Sequence, residues 1–327
     1  MNKYIVITTI NPKSEGIALF ELMSEWNIVI VGDKKSVPIE SSENITFLSL
    51  QDQYDLGYQI VDVCPYNHYA RKNIGYLYAI QNGAEVIYDT DDDNLPYADW
   101  HLQDFSCSNC YVSDYKFVNI YRFFTKELIW PRGYPLDEIH KEEHSYIKEN
   151  SKVNIGVWQG LVDIDPDVDA IFRLTINKVI KFEEKPSVFL EKGHYSPFNS
   201  QNTFWRKEAF PCLYLPATAS FRFTDILRGY ITQRLLWDIN LHLGFTKATV
   251  YQERNIHNFM KDFRDEIDCY LNVKPIVELL DSLNLSSELL LNIETVYSAL
   301  SEKGFIKSEE LDICKAWISD FKYIMGG

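Results

Sequence analysis

The chain has 327 residues, of which 46% are hydrophobic and 24% are charged, a composition typical of an ordinary globular protein with a large core. Its formal net charge of −15 excludes nucleic acid and anionic lipid as main partners, because both need a basic protein surface, but it leaves a nucleotide-sugar open. No window of the sequence approaches the roughly 20 consecutive apolar residues that form a transmembrane helix.

Two features bear on the compartment. The N-terminal apolar run is ended by Asn11 and Pro12, which predicts a first strand rather than a signal peptide, so we expect a cytoplasmic protein, with peripheral membrane association left open. Six cysteines are scattered along the chain, and only Cys107 and Cys110 form a Cys-x-x-Cys pair. A zinc ribbon needs a second such pair, so we interpret them as reduced structural thiols, with a redox role for this pair as the alternative.

The first hundred residues alternate between strand and helix patterns. Apolar strands are predicted over 4–9, 27–31, 45–50 and 86–88, and helices over 15–26 and 67–83. Gly83 stands where the residue after a helix end belongs. This alternation predicts an α/β fold whose parallel sheet is covered on both faces. The first strand is followed by no G-x-G-x-x-G, and the chain has no Walker A motif, so neither dinucleotide binding nor P-loop chemistry is supported.

The rest of the chain divides into two regions that differ in composition and pattern. Residues 95–260 are rich in aromatic residues, with predicted strands over 153–158 and 188–190 and a helix over 225–242. Amphipathic helices follow over 275–283, 288–303 and 309–325. We therefore predict one domain over 1–261, with a nucleotide-binding half (1–94) and an acceptor half (95–261), and a helical C-terminal extension over 262–327.

The stretch EVIYDTDDDN, residues 85–94, places clustered acids directly after a short apolar strand. The acids and amide are Asp89, Asp91, Asp92, Asp93 and Asn94. Such like charges repel one another unless a cation joins them, and Mg²⁺ or Mn²⁺ is bound through one or two carboxylates plus substrate phosphates. The carboxyl ends of strands are also where open α/β sheets bind ligands. This pattern predicts a metal-assisted nucleotide-diphosphate site, with a solvated acidic loop or a Ca²⁺ loop as alternatives.

Within this stretch, Asp93 is the acid we expect to contact the metal directly, and the first acid, Asp91, is expected to face the ribose or a water. Asp89 is expected to be a structural acid at the strand end.

The helix before the strand begins with Arg71, Lys72 and Asn73. Basic residues are disfavoured in a first turn, so we predict that this group binds phosphate, against the alternative of a solvated turn.

The ends of the first two strands carry small polar groups. Thr8, Thr9 and Asn11 end the first strand, and Gly32 and Asp33 end the second. These are positions where a base and ribose lie in doubly wound sheets, although such residues also cap helices and turns.

The segment FRFTDILRGYITQRLLW, residues 221–237, offers a candidate base. Asp225 would deprotonate an acceptor hydroxyl, with Arg228 or Arg234 near the phosphates, while the alternative is an ordinary N-cap at Thr224 or Asp225. Further on, RNIHN holds Arg254 and His257, and this imidazole is a candidate metal ligand, although a lone His is more often a satisfied polar group.

Two aromatic-polar stretches, 156–170 and 196–205, predict a sugar or acceptor pocket. The side chains suited to sugar faces and hydroxyls are Trp158, Asn199, Gln201 and Asn202. Asp163, Asp165, Asp167 and Asp169 are interpreted instead as loop acids, although Asp167-x-Asp169 repeats the metal-like spacing.

These segments together resemble the STELLO family of glycosyltransferase-like proteins. The similar strings are ITTIN, VIVGDKKS, FLSLQDQ, LGY, CPYNHYARKNIGYLYAIQNGAEVIYDTDDDN, DPDVDAIFRLT, PFNSQNT, FTDILRGYITQRLLW and RNIHNFMKDF, which fall within residues 3–265. The resemblance implies a GT-A fold, a nucleotide-binding sheet whose Asp-x-Asp motif holds Mn²⁺ or Mg²⁺ on the donor diphosphate. Asp91 and Asp93 match that motif, Asp225 matches the acid of the acceptor side, and His257 occupies the late position of a metal ligand.

The resemblance implies a metal-dependent glycosyltransferase. The donor would be a nucleotide-sugar, with UDP favoured and GDP or CMP open, and the acceptor a glycan hydroxyl in surface polysaccharide synthesis, with inversion at the anomeric carbon favoured over retention. The acidic triplet also resembles the reversibly glycosylated polypeptides, so a nucleotide-sugar mutase is one alternative. A non-catalytic partner of another glycosyltransferase is the second alternative, and the oligomeric state is open.

Overall fold

A computed structural model of the chain describes residues 1–142, 144–253 and 258–326. The described residues form one ten-stranded mixed sheet with the strand order β3-β2-β1-β4-β9-β7-β6-β8-β10-β5. Its strands are β1 (Lys3–Thr8), β2 (Trp26–Val31), β3 (Ile45–Leu48), β4 (Val86–Thr90), β5 (Asn94–Pro96), β6 (Ser106–Ser113), β7 (Ser145–Asp163), β8 (Val188–Leu190), β9 (Asn202–Arg206) and β10 (His242–Gln252). The α/β class predicted from the sequence is confirmed.

Helices cover both faces of the sheet and form the C-terminal region. They are α1 (Glu15–Glu21), α2 (Leu50–Asp55), α3 (Gln59–Val63), α4 (Lys72–Gln81), α5 (Tyr121–Phe124), α6 (Ala170–Thr175), α7 (Thr224–Leu236), α8 (Phe259–Asp265), α9 (Ile267–Ser282), α10 (Leu289–Glu302) and α11 (Glu310–Met325). No helix in the described part of the chain is long and apolar enough to cross a membrane. All six cysteines are buried as free thiols.

The N-terminal part of the sheet is a parallel layer, because β3, β2, β1 and β4 run in the same direction. Successive residues of β1 enter different cores. Val6 packs into the cluster that includes Ile74 of α4, whereas Ile5 packs into the cluster that includes Phe20 of α1. A strand with both faces buried needs apolar residues at every position, which is why its sequence is continuous rather than alternating. The parallel direction brings the carboxyl ends of β1, β2 and β4 to one edge.

The sheet changes direction at β9, which pairs antiparallel with β4 and places Phe204 opposite Tyr88. Beyond it, the 19-residue β7 pairs through its first half with β6 and through its second half with β9 and β10. The last residues of β7 thus leave the sheet beside the carboxyl edge of the parallel layer. The end of β7 and the carboxyl ends of the parallel strands therefore lie at the same edge of the sheet.

Some predicted helix ends differ from the structure. The helix predicted over 15–26 ends at Glu21, because Trp26 pairs with Lys3 and begins β2. The helix predicted over 225–242 ends at Leu236 and gives way to a 3₁₀ turn over Trp237–Ile239, after which Asn240 adopts a positive φ of 56° before β10 begins. Gly83 has a φ of 79° directly after α4, as the sequence predicts.

Candidate active site

A cavity of about 510 Å³ lies at the carboxyl edge of the parallel layer. Of the residues predicted to form the site, those that line it are Thr8, Thr9, Asn11, Asp33, Arg71, Asp91, Asp92, Asp93, Asn199, Gln201 and Asp225. Residues that the sequence did not point to also line it, among them His68, Tyr69, Arg132, Arg173, Arg222 and Gln252. Loops from both halves of the sheet therefore contribute to one cavity.

The three acids after β4 have different partners. The Tyr69 hydroxyl donates to Asp91 Oδ1 at 2.7 Å, Asn11 Nδ2 donates to Asp92 Oδ2 at 3.1 Å, and Gln252 Nε2 donates to Asp93 Oδ2 at 2.5 Å. Thr9 also donates to the Asp92 carboxylate. Each carboxylate is therefore held in place by a neutral donor from another segment.

Asp91 has an unusual proton affinity. Burial is the main reason that the pKa of Asp91 is raised to about 7, and the nearby charge of Asp93 adds to the rise. The Lys72 ammonium and the hydrogen bond from Tyr69 oppose it. Crowded carboxylates of this kind favour binding of a cation, because the cation removes their mutual repulsion.

Beneath residues 91–93, here called the acidic loop, lies a fully buried ionic group formed by Asp89, Lys72 and Arg228. Lys72 Nζ lies 2.6 Å from Asp89 Oδ1 and 3.7 Å from Asp91 Oδ1, and Arg228 NH1 lies 2.9 Å from Asp89 Oδ2. Burial alone would lower the pKa of Arg228, but the Asp89 carboxylate raises it above its usual range. Neither Lys72 nor Arg228, which were predicted to lie near the phosphates, lines the cavity. Both side chains instead support the floor of the cavity from behind.

Arg71 has a different setting from Lys72 and Arg228. Its side chain lines the cavity, yet it donates to uncharged oxygens, from Nε to Gln53 Oε1 at 3.1 Å and from NH1 to the Cys64 carbonyl at 3.1 Å. Its guanidinium carbon also lies 4.7 Å from the centre of the Tyr66 ring. No carboxylate among the described residues neutralises the charge of Arg71, and such a guanidinium is suited to bind an anionic group.

Asp33 and His68 form the side of the cavity near β2. The His68 amide donates to Asp33 Oδ2 at 3.2 Å, and the Lys34 amide donates to Asp33 Oδ1 at 2.7 Å. Burial lowers the pKa of His68, although the charge of Asp33 opposes this effect. The imidazole therefore favours its neutral form at physiological pH.

The opposite end of the cavity is built around Arg132. Its guanidinium bonds two carboxylates at once, Asp167 through Nε and NH2 at 2.8 Å each, and Asp225 through NH1 at 3.1 Å and NH2 at 3.0 Å. Burial alone would raise the pKa of Asp225, but Arg132 holds it below its usual range. Asp225 lies in the first turn of α7, where Phe223 is the N-cap residue, so neither Asp225 nor Thr224 is the N-cap.

Of the acids interpreted as loop acids, Asp163, Asp165 and Asp169 are buried and Asp167 is partly buried. Asp165 accepts from Arg173 NH1 at 2.5 Å, and both residues line the cavity with Asp167. Asp163 accepts from the Phe182 amide at 2.9 Å, and Asp169 caps α6 through the Phe172 amide. Asp165, Asp167 and Asp169 lie in the loop between β7 and α6, as interpreted, whereas Asp163 ends β7. The local pattern does not reveal the partners that hold these acids.

Comparison with known proteins gives the family. The profile of the STELLO glycosyltransferases matches residues 222–326. Two Arabidopsis thaliana proteins, probable glycosyltransferases STELLO1 and STELLO2, are 32% and 29% identical to this chain. The two alignments are 342 and 343 positions long, gaps included, and each covers 97% of the chain. The chain belongs to the STELLO family. It spans 44% of the length of each of these two relatives.

The profile match changes one expectation about the STELLO resemblance. The resemblance noted in the sequence ended near residue 265, whereas the matched segment continues through α9, α10 and α11. The C-terminal helices are therefore part of the sequence that this chain shares with the STELLO family.

Several predicted residues lie outside the cavity of this STELLO chain. Asn73 is buried and bonds the backbone of Leu215, and Asn202 donates to the Leu161 carbonyl. Trp158 donates its indole N–H to the Asp104 carbonyl, and Arg234 pairs with Asp238. Each of these side chains is used within the fold. Arg254 and His257 lie outside the described residues, so their predicted roles stay predictions.

A divalent metal fits the oxygen donors of the acidic loop. Among the described residues, no group of three or more His, Cys, Asp or Glu side chains is arranged to hold a metal ion by itself. Mg²⁺ and Mn²⁺ do not need such a group, because they keep waters and bind through one or two carboxylates plus phosphate oxygens. Asp91 and Asp93 line the cavity and supply hard oxygen ligands of that kind.

Proposed function

We propose that this chain is a metal-dependent glycosyltransferase of GT-A type that binds a nucleotide-sugar in the cavity. The observation that carries the proposal is the meeting, at the carboxyl edge of a parallel sheet, of three clustered carboxylates with a guanidinium that has uncharged partners. A diphosphate with its metal ion needs both kinds of group, acids for the metal and a cation that no carboxylate neutralises for the phosphates. The family resemblance favours UDP as the nucleotide and a glycan hydroxyl of a surface polysaccharide as the acceptor.

In this proposal each part of the cavity has a role. Asp91 and Asp93 would hold Mn²⁺ or Mg²⁺, which when bound neutralises the negative charge that develops on the departing diphosphate. Arg71 would bind a phosphate oxygen, and Lys72 and Arg228 would hold the loop through Asp89. Thr8, Thr9, Asn11, Asp33 and Asp92 would form the side that receives the ribose and base.

Asp225 would act as general base in an inverting reaction and would orient the sugar in a retaining one. A good base has a pKa near the working pH, so its pairing with Arg132 makes Asp225 a weak proton acceptor. Both of its oxygens also accept hydrogen bonds already, from Arg132 and from the Ile226 amide. These contacts favour the orienting role.

Calorimetric titration tests the proposal directly. UDP, GDP and CMP are titrated in turn, each with Mn²⁺ and each with EDTA, into the wild-type chain, Asp93→Asn and Asp62→Asn. We expect one nucleotide to bind with Mn²⁺, to lose its binding in EDTA and in Asp93→Asn, and to keep it in Asp62→Asn, because Asp62 is an exposed acid of α3. If none of the three binds under any condition, the transferase proposal fails together with the mutase alternative, and a non-catalytic partner role is left.

A further inference from the structure

The arginines at the two ends of the cavity have different partners. Near the acidic loop, Arg71 bonds uncharged oxygens, as described above. At the other end each arginine has a carboxylate partner. Arg132 bonds Asp167 and Asp225, Arg173 bonds Asp165, and Arg222 lies 2.8 Å from the buried Glu266. The second end therefore offers no unbalanced positive charge among the described residues, and its carboxylates outnumber its arginines.

A chain of neutral amides runs along the wall between the two ends. Asn199 Nδ2 donates to Asp167 Oδ2 at 2.8 Å, and Asn199 Oδ1 accepts from the Gln201 amide at 2.9 Å. The Gln201 side chain donates to Gln252, and Gln252 donates to Asp93. Side-chain amides both donate and accept, so this wall matches a row of hydroxyl groups rather than a second anion.

One apolar ring also lines the cavity. Phe221 is 58% exposed and lines the cavity, and its ring meets the rings of His68 and Tyr69 edge to face at 6.5 Å and 6.0 Å. An aromatic ring that is fixed by neighbours and open on the cavity side can cover the C–H face of a pyranose.

We propose that the Arg132 end of the cavity is a subsite for an uncharged, polyhydroxylated sugar and that it selects against sugars carrying a carboxylate. This inference rests on the proposed function and deepens it by naming the class of donor sugar. The neutral sugar presents hydroxyl hydrogens to Asp165 and Asp167 and accepts from Asn199 and Gln201. A uronate places its carboxylate beside acids whose arginines are already paired, and like charges in a partly desolvated site repel.

A matched pair of nucleotide-sugars gives the decisive measurement. UDP, UDP-glucose and UDP-glucuronate are titrated with Mn²⁺ into the wild-type chain, since the two sugars differ only by a carboxylate in place of a hydroxymethyl group. If GDP is the nucleotide that binds, GDP-mannose and GDP-mannuronate replace them. We expect the uronate to bind about tenfold more weakly than the neutral sugar, or weaker still.

A charge-removing variant tests whether the acids cause the difference. Asp167→Asn should reduce the preference for the neutral sugar severalfold, because one repelling charge is lost, whereas Asp163→Asn should keep it, because Asp163 is the buried last residue of β7 and does not line the cavity. Should Asp167→Asn fail to fold, the wild-type ratio still decides.

The outcomes separate this inference from the function on which it rests. Equal or tighter binding of the uronate, while the bare nucleotide binds, overturns the neutral-sugar subsite alone. An unchanged preference in a folded Asp167→Asn overturns the assignment of selectivity to this end. Failure of every nucleotide to bind overturns the proposed function and the subsite together.

Discussion

Asp89 shows how a single buried charge fixes the floor of the site. Its carboxylate is fully buried and joins two buried cations, Lys72 and Arg228, which come from α4 and α7. Asp89 is the carboxylate closest to Lys72 and forms the ion pair of Arg228, although Lys72 Nζ also lies 3.7 Å from Asp91 Oδ1. The acidic loop that begins two residues later is thereby tied to the helices on which the cavity rests.

Asp89→Asn keeps the shape of the side chain and removes its charge. We expect it to lower the free energy of unfolding by about 3 kcal/mol, because two cations would remain buried without their carboxylate. Urea unfolding measures the change. The control is Asp99→Asn, whose carboxylate is 60% exposed and pairs with Lys247 at the surface, and it should cost less than about 1 kcal/mol. Equal losses in the two variants would show that the buried group is not a source of stability.

Asp169 makes stability depend on pH. Burial raises the pKa of Asp169 to about 6, although the hydrogen bonds from the Phe172 amide and the Trp130 indole oppose the rise. An acid whose pKa is higher in the folded state than in the unfolded state costs stability as the pH rises between the two values. The wild-type chain should therefore lose about 2–3 kcal/mol relative to Asp169→Asn as the pH rises from about 4 to about 6.

The measurement is urea unfolding of both proteins at a series of pH values. Any fixed cost of the amide shifts the difference by a constant and leaves its slope unchanged, and the difference should be flat between pH 7 and 8. A difference that stays constant from pH 4 to pH 7 would contradict the raised pKa of Asp169.

The aspartates of residues 163–169 also show where prediction from the sequence stops. Their alternate spacing gives no sign that Asp165 meets Arg173 or that Asp167 meets Arg132, which is 35 positions away. Arg132 itself lies in a Trp-Pro-Arg-Gly-Tyr segment whose local signal is a turn, and only the tertiary fold brings it to Asp225. The acidic loop could be predicted because all its acids are adjacent in the sequence and follow a strand.

At the scale of elements, α1 holds the acidic loop in position through a glycine. A Cβ atom added at Gly16 would lie 2.3 Å from the carbonyl oxygen of Asn94 and 3.2 Å from that of Asp92. Ser14, the N-cap residue of α1, also donates to the Asp92 carbonyl. The start of this helix therefore packs directly against the backbone that carries Asp92 and Asp93.

Gly16→Ala should move that backbone and weaken metal-dependent nucleotide binding about tenfold, a fold-change equal to about 1.4 kcal/mol. Alanine favours a helix over glycine by at most about 1 kcal/mol, which does not offset a backbone contact at this distance. Calorimetry of the nucleotide that binds with Mn²⁺ gives the fold-change. Glu15→Ala is the control, because Glu15 is exposed in the same turn, and unchanged binding in both variants would contradict this packing role.

The elements themselves were predicted where their signal is local. Four apolar strands and the helix ending before Gly83 follow from residue patterns that depend on immediate neighbours. The length of β7 did not follow, because its first ten residues are mostly exposed and are held as a strand by pairing with β6. Strand pairing over long separations is a tertiary property, so residue patterns predicted only the buried part of β7.

For the whole molecule, the C-terminal helices share the main hydrophobic core with the sheet. Val277 of α9, Val296 of α10 and Trp317 of α11 belong to the same buried cluster as Val6 and Ile74. Two acids of α11 also bond distant backbone. Asp320 accepts from the Gln59 and Ile60 amides at 2.9 Å each, and Glu310 accepts from the Thr218 amide at 2.6 Å, just before the segment that carries Phe221 and Arg222 into the cavity. We therefore expect the helices to unfold together with the sheet.

Trp317→Ala tests this expectation. Trp317 is fully buried, donates to the Pro211 carbonyl at 3.2 Å and packs against Tyr214, so its truncation should cost about 3–5 kcal/mol. Tyr323→Ala, in the same helix but 79% exposed, should change stability by less than about 0.5 kcal/mol.

Urea unfolding followed by far-UV circular dichroism reports on the helices, and tryptophan fluorescence reports mainly on the part of the chain before residue 262, where six of the seven tryptophans lie. The two signals should give one coincident transition, and Trp317→Ala should move both by the same amount, because a shared core transmits the loss of packing to every element that contacts it. Two separate transitions, or a shift confined to the circular dichroism signal, would instead show that residues 262–326 fold as a unit of their own.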